Sequence, residues 1–253
     1  MIFYFSATGN SKYVATRIAK AINENLISIV DCVENSFYCF NVKPKEKIGI
    51  ICPTYYLGLP TIVCDFLKDI TLINGYNHYF YLIATYGYTT GHNGEMINNL
   101  IKNKGYHLNA QFSVKMPDTW TPKYDLSCTK KIKKINTKAE IQIDNIVDMI
   151  QTEKTGNFMK NQIPKFISSF YYKKYEDMRT TNRFNVQASC NSCGLCKQKC
   201  PSHAIEIQNN KPVWVKEKCI LCLGCLHRCP KFAIQYGNNT QKHGQYLNPN
   251  VKI

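Results

Sequence analysis

The sequence predicts an α/β protein in which a doubly wound, five-stranded parallel sheet is followed by a small α+β domain. Three observations carry this. Apolar runs of strand length alternate with amphipathic helical patterns over the first 150 residues. At 253 residues the chain exceeds one typical domain. Near the C-terminus a cysteine-rich segment recurs, each cysteine returning 29 residues later.

Ile2 to Phe5 reads as the first strand, and Val14, Ala15, Ile18, Ala19 and Ile22 mark the helix after it. Leu26 to Val30 is the second strand. Ile48 to Cys52 is the third, followed by the loop "PTYYLGLP" and a helix that Pro60 opens, with Ile62, Val63, Phe66, Leu67 and Ile70 on one face. Tyr79 to Thr85 is the fourth strand, Glu95 to Lys104 a helix ended by Gly105, and Leu108 to Met116 the fifth strand. A capping box, Thr137-Lys-Ala-Glu140, predicts the start of a last helix striped with Ala139, Ile143, Ile146, Val147 and Ile150. This succession predicts strand order 2-1-3-4-5. The expected units are residues 1–154, a connector at 155–185, a second domain at 186–240 and a tail at 241–253. In the connector, Ile163, Ile167, Phe170, Tyr171, Lys174 and Met178 mark partial helix. Its apolar face is short and interrupted, so packing against the sheet domain is expected rather than a membrane surface.

Composition narrows the function classes. The formal charge of +15 is spread along the chain, without a recognition-helix motif or an aromatic-basic repeat, which argues against nucleic-acid binding. No run is long enough to span a membrane and no signal-peptide layout is present, so a cytoplasmic location is expected. Eight of the thirteen cysteines lie between Cys190 and Cys229, which suits clustered metal-holding thiolates in a reducing compartment. Cys32, Cys39, Cys52, Cys64 and Cys128 are scattered and are expected to be buried packing residues.

"CNSCGLCKQKCP" and "CILCLGCLHRCP" share the spacing Cys-x2-Cys-x2-Cys-x3-Cys-Pro, the run that holds [4Fe-4S] clusters in two-cluster bacterial ferredoxins. Zinc sites use separated cysteine pairs instead. In each run three thiolates serve one cluster and the fourth serves the other. Cys190, Cys193, Cys196 and Cys229 are therefore the expected ligands of a first cluster, and Cys219, Cys222, Cys225 and Cys200 those of a second. Gly194 and Gly224 are expected to let amides approach the sulfurs, and His227 is expected to face solvent.

"SATGNS" lies between the first strand and first helix. The hydroxyls of Ser6, Thr8 and Ser11, the Asn10 side chain and the N-terminal amides, with Gly9 in the turn, form a candidate phosphate cradle without a lysine. The stretch resembles the flavodoxin phosphate loop, Ser/Thr-x-Thr-Gly-Asn-Ser/Thr, which implies FMN. Two further strand-end loops offer contacts for a flavin: Pro53, Thr54, Tyr55, Tyr56 and Gly58 in one, and Thr85, Tyr86, Gly87, Tyr88 and Gly91 in the other. Tyr55, Tyr86 and Trp120 are the candidates to stack on the ring.

Taken together the two ends resemble the flavodoxin-ferredoxin fusion proteins, the EFR-family ferredoxins of anaerobic bacteria and archaea. The resemblance implies an FMN domain joined to two [4Fe-4S] clusters, an electron carrier with a redox partner protein. Because the cysteine domain here is basic where such domains are usually acidic, a partner with an acidic docking surface is expected. The third flavin loop, neutral and carrying His92, lacks the usual acidic residues, and the cysteine domain is basic. Two rival readings remain: a flavin-dependent reductase admitting a small molecule near Tyr56, Tyr88 and His92, and a flavin-free redox-sensing or partner-binding module.

Overall fold

A computed structural model describes all 253 residues. The first unit contains β1 (Ile2–Tyr4), α1 (Asn10–Ile22), β2 (Leu26–Ser28), α2 (Ile29–Glu34), β3 (Cys39–Asn41), β4 (Ile48–Pro53), α3 (Thr61–Asp69), β5 (Thr71–Ile73), β6 (Phe80–Tyr86), α4 (Asn93–Ile101), β7 (Ala110–Lys115), α5 (Thr129–Gln151) and β8 (Gly156–Asn157). The sheet runs β2-β1-β4-β6-β7-β8, parallel throughout. The five expected strands thus stand in the expected order. The two-residue β8 adds a sixth against Ala110 and Gln111, and β3 and β5 form a separate parallel pair.

Alternation along the strands builds two cores, one on each face. Phe3, Ile50 and Leu82 point to the side covered by α2, α3 and α4. Ile2, Ile51, Tyr81 and Ile83 point to the side covered by α1 and α5.

Three boundaries differ from expectation. The second strand stops at Ser28, whose hydroxyl accepts the Asp31 N–H at 3.2 Å and caps α2, so Ile29 and Val30 are helical. Helix α4 begins at Asn93 and passes into a 3-10 turn before Gly105, at φ 80°. Helix α5 begins at Thr129, so the capping box lies inside it. The Thr137 hydroxyl donates to the Lys133 carbonyl at 3.0 Å, because the lysines and isoleucines upstream favour helix and nothing there stops it. The expected stripe does face inward, with Ala139, Ile143, Ile146 and Ile150 buried.

The connector forms α6 (Lys165–Met178), opened by Pro164. Its buried residues are Ser168 and Tyr175; of the expected positions Phe170 is exposed, while Ile163, Ile167 and Tyr171 line a strand-end cavity instead of entering the core. Hydrogen bonds select the other face. The Tyr172 hydroxyl donates to the Leu59 carbonyl at 2.7 Å, and that of Tyr175 to Ile220 at 2.6 Å.

The last unit holds β9 (Phe184–Val186), α7 (Leu195–Gln198), β10 (Ile205–Gln208), β11 (Lys211–Trp214), α8 (Gly224–Arg228), β12 (Ile234–Tyr236) and α9 (Thr240–His243). Strand β9 pairs antiparallel with β12, and β10 with β11. The sequence repeat is also a backbone repeat. Ser192 and Leu221, Gly194 and Leu223, and His203 and Phe232 are pairs 29 residues apart that share positive φ, between 46° and 74°. A third core joins the units: Tyr175, Leu221, Leu223, Leu226, Ile234 and Tyr236, with Tyr55, Tyr56 and Trp120 packed against it. Residues beyond α9, expected as a tail, also pack inward: Tyr246 and Asn248 are buried.

Candidate functional site

A cavity of about 590 Å³ opens where β1, β4, β6 and β7 end at their C-terminal edges. This is the edge where open α/β sheets bind ligands, beside the point at which strand order reverses. Ser6, Thr8, Asn10, Ser11, Pro53, Thr54, Tyr55, Tyr56, Thr85, Tyr86, Gly87, Tyr88 and Trp120 all line it. Gly9 and Gly58 do not. A Cβ on Gly58 would fall 2.3 Å from the Tyr172 ring, so this glycine admits the connector helix.

Gly9 opens α1 at φ 95°, and no side chain caps that helix. The Ser6 hydroxyl accepts the Gly9 N–H at 3.1 Å, and the Ser11 hydroxyl is 2.8 Å from that of Thr85. The turn is thus held by hydroxyls around an uncapped helix N-terminus, which fits a phosphate. Asn10 departs from expectation: its amide nitrogen donates to the Pro117 carbonyl at 3.1 Å, and its oxygen accepts from Tyr246 and Asn248. Those bonds commit it to the loop's scaffold.

The loop after β4 turns through Tyr56 and Leu57, both at positive φ (47° and 68°), with Tyr55 and Gly58 exchanging backbone bonds across it. Two bulky residues in this region cost about 1 kcal/mol or more each, so the surroundings must hold them. The Leu57 carbonyl accepts the His92 N–H at 3.0 Å, and Gly91 lies so close that a Cβ there would sit 1.9 Å from the same oxygen. Tyr56 stacks on Tyr175 at 5.1 Å and meets Trp120 edge-on at 5.6 Å. Its buried hydroxyl has no partner in the protein, and burial raises its pKa. The groups whose charge reaches that hydroxyl, Tyr236 and Arg183, lie off the cavity, so it is the aromatic wall that fits a planar ligand such as a flavin. Tyr86 is buried, its hydroxyl accepting from Asn161 at 3.1 Å, whereas Tyr88 stands exposed at the cavity mouth.

Sequence reasoning missed Asp118. It is the one acidic residue on the cavity wall, so the cavity is not free of carboxylates even though the neutral loop is. Burial raises its pKa, opposed by the Trp120 N–H it accepts and by Lys123. Gly87 makes room for it: a Cβ there would lie 2.3 Å from Asp118. The signal was a lone acidic residue just past the fifth strand, a ligand-binding edge. His92 does not line the cavity; it packs edge-on against Tyr172, and burial lowers its pKa. The reductase reading therefore loses that residue.

The eight motif cysteines lie close together, and one of the two expected sets shares a single cavity. Cys190, Cys193, Cys196 and Cys229 line one small cavity together. On the other side, burial pushes the Cys219 thiol up to about 12, with Cys222 and Cys200 adding to the rise. Cys225 is raised further by burial, then by Cys222, Cys219 and Cys200. Crowded, desolvated thiols of this kind require a strongly positive partner to ionise, which suits an iron cluster. Amides point at the sulfurs: Ala204 N–H donates to Cys200 Sγ at 3.5 Å, and its repeat mate Ala233 to Cys229 Sγ at 3.3 Å. No three such groups converge tightly enough for a single metal ion. Of the scattered cysteines, Cys32 and Cys52 are buried and Cys64 partly so, but Cys39 and Cys128 are exposed. Cys39 sits on the outward side of a short edge strand, and Cys128 precedes α5.

His227 does not face solvent. It is buried, its Nε2 2.9 Å from the Thr119 carbonyl and its Nδ1 accepting the Tyr246 N–H at 3.2 Å. Desolvation lowers its pKa to about 4, which keeps the ring neutral.

The family described as a flavodoxin domain matches residues 1–145, and a 4Fe-4S dicluster domain matches residues 189–234. The chain belongs to the flavodoxin-domain family. With the second match it has the organisation of a flavodoxin-ferredoxin fusion, and the two domains together support an electron-transfer redox protein. Among solved structures it is similar to rubredoxin oxygen:oxidoreductase from Desulfovibrio gigas (16% identity, 58% of this chain and 35% of that one, TM-score 0.33). It is also similar to Megasphaera elsdenii flavodoxin (20%, 44% and 82%, 0.32). A short-chain flavodoxin associated with a PDU bacterial microcompartment is a third (15%, 57% and 95%, 0.33). The chain thus spans about a third of the Desulfovibrio protein. No curated relative matches. No helix is long and apolar enough to cross a membrane.

Proposed function

We propose that this flavodoxin-domain protein holds FMN in the strand-end cavity and two [4Fe-4S] clusters in the crossed cysteine sets, and carries electrons between them. FMN supplies exchange of one or two electrons, and each cluster exchange of one. The observation that carries the reading is the far wall of the cavity: Leu221, Cys222 and Leu223, from the second cysteine run, share it with the phosphate loop and the tyrosines. A ligand of one cluster thus forms part of the pocket that fits the flavin.

Ser6, Thr8 and Ser11 would hold the phosphate with the α1 amides, while Tyr55, Tyr56 and Trp120 bound the ring. The set Cys219, Cys222, Cys225 and Cys200 lies nearest the cavity. Cys193, in the other set, is exposed on a domain with seven basic and two acidic residues over 186–240. That side is the outlet to an acidic redox partner.

Anaerobic purification with iron, sulfide and flavin assay is the direct test, with two clusters and one FMN per chain expected. Thr8→Ala, which removes a hydroxyl from a charged ligand, should weaken FMN about tenfold or more. Iron content should not change. Equal affinity of the wild type for FMN and riboflavin would refute the phosphate site.

A further inference from the structure

The C-terminal segment reaches back across the whole chain to the phosphate loop. Asn248 is 2% exposed; its N–H donates to the Thr8 carbonyl at 2.8 Å and its amide nitrogen to Asn10 Oδ1 at 3.2 Å. The buried Tyr246 hydroxyl donates to the same Asn10 oxygen at 3.0 Å. Lys12 Nζ donates to the Lys252 carbonyl at 2.7 Å. Gly9 is covered so closely that a Cβ would meet Asn248 Cβ at 2.9 Å and Val251 Cγ2 at 3.2 Å.

The other end of the segment is fastened to the cysteine domain. Gln245 Nε2 donates to the carbonyls of Leu226 and Cys229 at 2.7 and 2.8 Å, and the Tyr246 N–H donates to His227. The anchor is therefore independent of the loop it holds. All three bonds of the Asn10 amide group to Pro117, Tyr246 and Asn248 point into scaffold, so the segment fixes the residue between Gly9 and Ser11 and sets the path of the turn.

From this we infer that residues 245–252 are a third part of the phosphate site, with Tyr246 and Asn248 as positioning residues that hold the turn of residues 6–11 in its anion-binding shape. The inference rests on the phosphate-site reading above. It adds that FMN selectivity in the sheet domain depends on a segment held by the cysteine domain. Preorganisation of this kind strengthens binding without direct contact to the ligand.

The test compares FMN with riboflavin in the full-length, cluster-loaded protein. Tyr246→Phe removes a single oxygen, and Asn248→Ala removes the side-chain bonds to Asn10 and from the Asn250 N–H while keeping the backbone bond to Thr8. Each should lower FMN affinity about tenfold, as expected for a mispositioned charged-ligand site, with riboflavin affinity changed less than about twofold. The FMN-to-riboflavin ratio separates positioning from general loosening, which would weaken both ligands alike. An unchanged ratio in variants with wild-type iron content overturns the inference, as does parallel loss of both ligands. A second readout needs no variant: FMN, but not riboflavin, should slow amide exchange at Tyr246, Leu247, Asn248 and Asn250 of the wild type, and equal exchange overturns it. If the wild type itself does not prefer FMN, the underlying phosphate reading fails instead.

Discussion

The two cysteine runs have one backbone and two environments. Residues 190–196 and 219–225 place positive φ at matched positions, and each is followed by an amide-to-sulfur bond at the start of the next segment. Yet the first run carries Asn191, Ser192 and an exposed Cys193, whereas Leu221 and Leu223 in the second are buried in the seam against the tyrosines. Spacing makes the turn that gathers the thiols, and the residues between the cysteines decide what that turn faces. Leu223 shows the cost of the second choice. It occupies φ 54° where its counterpart is Gly194, and accepts strain to bury a side chain.

The largest effect should come from exchanging the fourth ligands. Cys200→Ala should remove about half the iron through the set facing the cavity, and Cys229→Ala about half through the other. Electron paramagnetic resonance on the two variants should show complementary losses. Loss of the Cys190 set in Cys200→Ala would break the crossed assignment. Replacing Cys39 and Cys128 together should leave iron content unaltered.

An intermediate effect is expected at the asymmetric position. Leu223→Gly relieves about 1 kcal/mol of backbone strain. It forfeits a buried leucine, worth about 2–5 kcal/mol, so denaturation of the loaded protein should show a net loss of about 1–4 kcal/mol. Ser192→Ala in the first run should change stability by less than about 1 kcal/mol, because it loses only a partly exposed hydroxyl bond to the Asn210 carbonyl. Equal costs in the two runs would remove the distinction between them.

The smallest effect concerns how dry the cavity side is. Asp118 has a raised pKa because burial disfavours its carboxylate. The folded state therefore holds that proton more tightly than the unfolded chain, and the associated stability is present below the unfolded value and lost as pH rises through the folded one. Asp118→Asn keeps the oxygen that accepts the Trp120 N–H and removes the charge. It should raise the thermal midpoint near neutral pH, and the gain should shrink as pH falls toward the ordinary aspartate range. A gain independent of pH would show that the charge is not the cause.

Much of this was legible in the residue order because the controlling interactions are local. The strand order came from alternation within single elements, the "SATGNS" turn from its place between a strand and a helix, and the meeting of Cys190, Cys193 and Cys196 with Cys229 from spacing within two short runs. Local reading failed where the partner is distant. Asn10 bonds Tyr246 across 236 residues, His227 meets Thr119 across 108, and Tyr175 reaches Ile220 across 45. Helix α6 illustrates why: its periodicity offers Phe170 and Tyr171 as well as Tyr172 and Tyr175, and only carbonyls supplied by Leu59 and Ile220 choose between the faces. Spacing thus determined which side chains the chain can bring together. Packing between units decided which cysteine run meets the cavity, because burial belongs to surfaces brought together in the fold and is written in no single stretch of chain.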